Sequence, residues 1–91
     1  MQGVFVPKTI FKVMNKGLVI FGCLKSGVLK SGMTLKIDKT NIPLLGLEIL
    51  NKKIEEIKEG EKFAEQLGII LPEMAEKIIA KNINKEIIFK E

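Results

Sequence analysis

Histidine, arginine, tryptophan and tyrosine are absent from this 91-residue sequence, and cysteine occurs once, at Cys23. Without histidine the commonest general base is missing. Without arginine there is no planar, bidentate binder of phosphate, and without tryptophan and tyrosine the two amphipathic aromatics of binding hot spots are gone. One cysteine forms no internal disulfide, and one cysteine without histidine assembles no zinc site, so no metal or other cofactor is expected. The sparing use of cysteine fits a reducing, cytoplasmic setting. The longest uncharged stretches, 17–24 and 40–47, fall far short of the roughly 20 apolar residues of a membrane-spanning helix, and residues 1–8 lack the pattern of a signal peptide. No membrane contact is expected. Catalysis is hard to build from what remains, and the expectation is a protein that is not an enzyme.

What is present is lysine, isoleucine and glutamate, unevenly spread. Residues 1–47 carry seven lysines against one acid, Asp38, for +6, and residues 48–91 carry eight lysines against ten glutamates, for −2. The basic half would attract a polyanion such as RNA, although a solvated lysine-rich face has the same composition. A chain of this length holds one small domain, spanning residues 1–91, with a single core.

Short strands divided by glycine turns are expected over 10–14, 17–24 and 34–38. Asn15-Lys16-Gly17 supplies a hairpin turn, because Asn and Gly tolerate positive φ. Ser26-Gly27 and Ser31-Gly32 mark two further reversals, and Gly22, inside a strand, marks a bulge or a close backbone approach. In the middle, Leu47, Leu50, Ile54 and Ile57 follow helical spacing, which favours a helix over 48–58. Pro72 followed by Met74, Ala75, Ile78 and Ile79 predicts a two-turn helix, and 86–89 a closing strand.

Three motifs fail on chemistry. Residues 27–34 have the glycine spacing of a phosphate-binding loop, yet Met33 stands where the lysine must be and Thr34 opens a strand. Cys23 has no histidine to act as its base, so a packed thiol is expected. Glu55 and Glu56 are adjacent in sequence and diverge on either a strand or a helix.

The glycine pattern is more specific. Residues 11–27, with Gly17, Gly22 and Gly27, continued by 29–37 with Gly32, resemble domain 2 of the translational GTPases typified by elongation factor Tu. Gly46-Leu47-Glu48-Ile49, Lys52, Ile54 and Gly60-Glu61 keep the family's spacing, so that the resemblance covers roughly residues 9–68. It implies an all-β fold, a small closed six-stranded Greek-key barrel with a short helix before the last strand. Residues 45–50, 53–57 and 62–67 would then be strands, tertiary pairing overriding helical propensity. Val13, Val19, Ile20, Leu24, Leu35, Ile37, Leu47, Ile49, Ile54, Phe63 and Leu67 would supply most of the interior.

The resemblance also implies a role. In the complete factors domain 2 follows a GTPase domain and receives the aminoacylated 3′ end of tRNA, whose terminal adenosine sits in a small pocket. Val19 and Glu48 match that pocket, while Lys8-Thr9, Asn51 and Gln66 stand where the family has other residues. The expected function is a stand-alone binding module contacting tRNA or the ribosome. Lys8, Lys12, Lys16, Lys25 and Lys30 would meet phosphate, and Val19 and Glu48 would form what is kept of the pocket. The alternative is a protein-interaction module that docks on a GTPase domain or another protein. Phe11 and Phe21 could offer stacking faces to bases, but packing in the core is the stronger expectation for strand aromatics.

Overall fold

The computed structural model describes residues Met1–Glu91. The chain is mostly antiparallel β. Its strands are β1 (Gln2–Val13), β2 (Gly17–Lys30), β3 (Thr34–Ile37), β4 (Thr40–Pro43), β5 (Gly46–Ile49), β6 (Lys52–Ile54), β7 (Glu56–Lys58), β8 (Leu67–Leu71) and β9 (Ile87–Lys90). A 3-10 turn (Glu73–Ala75) leads into one short helix, α1 (Glu76–Ala80), before the last strand. The sheet curls into a half-barrel in the order β4-β3-β9-β1-β2-β8-β5-β6, and β7 pairs with the far end of β2. No helix is long and apolar enough to cross a membrane.

The expected hairpin forms at Asn15-Lys16-Gly17, with positive φ at Asn15 and Gly17. Both of its strands are longer than expected. β1 begins at Gln2 and tolerates Pro7 because the ladder shifts register between Pro7 and Thr9, where a missing N–H is harmless. β2 runs straight through Ser26-Gly27, which is not a reversal. The register shifts between Val4 and Phe5 instead, and Gly27, at φ 81°, absorbs the bend while its N–H donates to Glu59 Oε1 at 2.7 Å. Ser31-Gly32 does turn the chain.

In the middle, pairing overrides helical spacing: Leu47 faces Ile54 and Ile69 across β5, β6 and β8, and no helix forms over 48–58. The strand expected over 53–57 is broken at Glu55 into β6 and β7. That expected over 62–67 is shifted to Leu67–Leu71, where Leu67, Ile69 and Leu71 alternate inward; residues 61–66 are turns, with Phe63 at φ 72°. Two tight turns carry no glycine: Asp38-Lys39 joins β3 to β4 and Leu50-Asn51 joins β5 to β6, each with both residues at positive φ, as a type I′ turn demands. Residues 40–49 change partners midway. β4 pairs with β3 while β5 pairs with β8, and the amides of Leu44 and Leu45 donate to Met33 and Ile70 respectively.

The core gathers Phe5, Leu18, Ile20, Leu29, Leu35, Leu47, Ile57, Leu67, Ile69, Leu71, Ile79, Ile87 and Phe89. Of the residues expected inside, Ile20, Leu24, Leu35, Leu47 and Leu67 are there; Ile37, Ile49 and Ile54 are partly buried against the core, Phe63 is half-buried, and Val13 is exposed at the end of β1. Val19 is buried but on the other face of the sheet, because it alternates with Leu18 and Ile20. Of the helix residues, Ala75 and Ile79 face the core and Met74 is exposed.

Candidate functional site

The outer face of β1, β2, β8 and β5 is built by strand alternation. With Leu18 and Ile20 turned inward, Val19 and Phe21 point out, and so do their cross-strand neighbours. One row runs Phe11, Val19, Ile70, Gly46; the next runs Thr9, Phe21, Gly68, Glu48, Lys53. Phe11 and Phe21 therefore lie outside the core, contrary to expectation. They meet edge to face with centroids 5.7 Å apart and remain 50% and 36% exposed. The core aromatics are Phe5 and Phe89. Gly68 leaves a low point in the second row; a Cβ there would sit 3.2 Å from the Phe21 ring and 3.3 Å from Glu48 Cγ, so those two side chains close over it.

Glu48 is buried in this face, and its Oε2 accepts a hydrogen bond from Lys16 Nζ at 3.0 Å. The pair draws the first hairpin against β5. An open depression of about 490 Å³ lies beside Phe21, and Lys8, Leu50, Asn51 and Gln66 line it. Three positions where the sequence differs from the resembled pocket, Lys8, Asn51 and Gln66, thus share one wall, and Thr9 is the cross-strand neighbour of Phe21. Asn51 also borders the next depression, which Lys16 and Glu48 line. On the other side, Lys8 and Glu65 continue into a third, lined by Cys23, Lys25, Asn84 and Glu86.

The five expected lysines do not form one cluster. Lys8, Lys16 and Lys25 border these linked depressions, whereas Lys12 reaches Glu76 of α1 at 3.2 Å and Lys30 ends β2 opposite Glu56, outside them and in no ion pair. Lys25 Nζ donates to Glu86 Oε2 at 2.7 Å, and that hydrogen bond, with the carboxylate charge second, holds the ammonium above the ordinary lysine range. A raised lysine favours the folded state at neutral pH and stops doing so as pH rises through its folded pKa. The group is largely exposed, so this is a small effect. Cysteine, aspartate and glutamate side chains nowhere gather in a group of three that could hold a metal ion.

Leu50, Glu65, Asn84 and Glu86 are additions that the sequence did not announce. The glutamates and Asn84 come from distant segments with no local signal. Leu50 is a bulky residue at φ 52° and 68% exposed, a conformation that usually belongs to Asn or Gly. Leu50→Asn should raise stability by about 1 kcal/mol by relieving that strain. A thermal melt checks it, and an unchanged or lower midpoint would mean the turn does not hold Leu50 as described.

No family model matches the chain, and no curated protein is similar enough to it in sequence to count as a relative.

Proposed function

We propose that this protein is a non-enzymatic RNA-binding module, related to domain 2 of translational GTPases of the elongation factor Tu type and acting in translation. It would take a single-stranded end of tRNA, or ribosomal RNA, on the outer face of β1, β2, β8 and β5. The observation that carries this is the solvent-facing pair Phe11 and Phe21, with Lys8, Lys16 and Lys25 bordering the adjoining depressions. Exposed aromatics beside cations are what single strands use: bases stack on the rings for about 1–3 kcal/mol each, and ammonium groups replace counterions on phosphate. Lysines are point charges without planar readout, so sequence selectivity is weak.

The relation to domain 2 is supported by the convergence of Lys8, Asn51 and Gln66 on one depression, with Glu48 beyond Gly68 in the same face. Strand pairing supports it as well. If residues 40–49 are counted as one bent strand, each of six strands has two neighbours, the pairing that the proposed closed six-stranded Greek-key barrel would require.

A second function has its own support. Leu45 and Leu50 are exposed, and Glu61, Glu65 and Glu86 lie among the lysines, a mixed surface that suits a protein such as a GTPase domain.

Titration of a labelled single-stranded RNA with a free 3′ adenosine separates the two. Three phosphate contacts give a log-log salt slope of about −2, at roughly −0.7 each. Lys16→Ala with Lys25→Ala should flatten it by more than about one unit, and Glu48→Ala should matter only with the 3′ adenosine free. Absence of binding at low salt, or a double variant with the parent's affinity and slope, would overturn RNA binding in favour of docking.

A further inference from the structure

The first hairpin carries most of the positive charge of the basic half, yet three of its lysines are held by side chains from the segment that follows α1 or from α1 itself. Lys12 Nζ lies 3.2 Å from Glu76 Oε1, Lys8 Nζ donates to Asn84 Oδ1 at 3.1 Å, and Lys25 Nζ donates to Glu86 Oε2 at 2.7 Å. The segment is anchored where it does this: the Asn84 amide donates to the Pro7 carbonyl at 2.8 Å, at the register shift of β1, and β9 then enters the sheet beside β1.

We propose that residues 84–86 are a built-in competitor of RNA, a strap whose side chains occupy Lys8 and Lys25, two of the lysines that phosphate would use. The proposal rests on RNA being the ligand. Its physical basis is the exposure of the pairs. In Lys25–Glu86 the side chains are 61% and 52% exposed, and Lys8–Asn84 is exposed as well; Lys12–Glu76 lies on the other side of β1, where Lys12 is the cross-strand neighbour of core Leu18. Exposed pairs of this kind are weak and exchangeable, so the strap lowers affinity without blocking the face. Lys16–Glu48 is different in kind, since the Glu48 side chain is only 8% exposed, and the strap takes no part in it. A phosphate that binds Lys25 must first release Glu86 to water. Fewer counterions are then released on balance than for an unpaired lysine.

The test is a titration of fluorescent oligoadenylate RNA at several salt concentrations with three forms of the full chain. These are the parent, Asn84→Gly with Glu86→Gln, glycine accepting the positive φ of position 84, and a control, Glu56→Gln, that changes the net charge equally and breaks no ion pair. The strap variant is expected to bind about fivefold tighter, as freeing two exposed lysines implies, with a salt slope steeper by about 0.7 unit for the one carboxylate removed. The control is expected to stay within about twofold of the parent, because charge remote from the face is screened. Circular dichroism verifies that all three forms keep the parent's fold. Equal tightening in variant and control, or a variant indistinguishable from a parent that does bind, overturns the strap and leaves RNA binding standing. Absence of binding by every form overturns both.

Discussion

Replacing Gly27 by valine is expected to lower stability by about 3 kcal/mol or more. Two costs coincide at this position. At φ 81° a β-branched residue is strained by about 1–3 kcal/mol, and a Cβ would in addition run into the Gln2 carbonyl oxygen across the ladder. Neither can relax cheaply, because the Gly27 N–H is held by the Glu59 carboxylate and the Gly27 carbonyl accepts from the Glu59 amide at 2.9 Å. The comparison is Gly32→Val. Gly32 has φ 96° but open space where a side chain would go, so only the strain remains. For a domain of this size each kcal/mol shifts the melting midpoint by about 4–8 °C, so a drop of more than about 12 °C is expected for Gly27→Val and clearly less for Gly32→Val. Equal drops would show that the close approach of β1 is not what fixes glycine at position 27.

Phe89→Ala is expected to cost about 3–5 kcal/mol, the range for emptying a fully buried aromatic site. Phe89 is completely buried, and it faces Gly3 of β1 on one side and Leu35 of β3 on the other, so its ring fills the space where three strands meet. With a total stability of about 5–10 kcal/mol for a small domain, the variant would be poorly folded at 37 °C. Its neighbour Ile88 is 41% exposed, and Ile88→Ala should cost less than about 1 kcal/mol. Urea unfolding with an unchanged slope measures both. A loss below about 1 kcal/mol for Phe89→Ala would mean that β9 does not carry the core.

The elements legible in the sequence are those whose signal is local. Asn15-Lys16-Gly17 announces its hairpin through residues that accept positive φ, Pro72 announces the helical turns, and the alternation of 86–89 announces β9. Gly22 was legible as a close approach, and it passes against the Val6 carbonyl and the Phe5 ring. What escaped depends on pairing. In the turns at Asp38-Lys39 and Leu50-Asn51 one residue of each pair, Lys39 or Leu50, has little intrinsic liking for that backbone, so strand registry imposes it there. Gln2 to Pro7 did not read as strand because proline argues against one until the register shift is known. The helical spacing of Leu47, Leu50, Ile54 and Ile57 is real, but it loses to the partners β8 offers.

The candidate site was legible in part. Lys8, Lys16, Lys25, Val19 and Glu48 all belong to the outer face or its borders, Val19 although it was also expected in the interior. Which face Phe11 and Phe21 occupy depends on strand phase, and a one-residue change of phase exchanges the two faces. The neutralising partners Glu76 and Glu86 lie more than sixty residues along the chain from Lys12 and Lys25, so no window of sequence couples them.

The insertion of β9 between β1 and β3 sets the order of events when the chain folds. These two strands are separated by β9 in the finished sheet, so neither can satisfy its backbone on that side until residues 87–90 arrive. Closing so long a loop is entropically costly, and a high contact order of this kind gives folding in milliseconds to seconds where a helical bundle would need microseconds. During synthesis on the ribosome, the β1–β2 and β3–β4 hairpins can form while a slot one strand wide stays open between β1 and β3, with unpaired amides and carbonyls along both of its sides. An extended segment from another molecule fits that slot as well as β9 does, which makes the interval before the C-terminal strand enters the period of greatest exposure to strand exchange and aggregation.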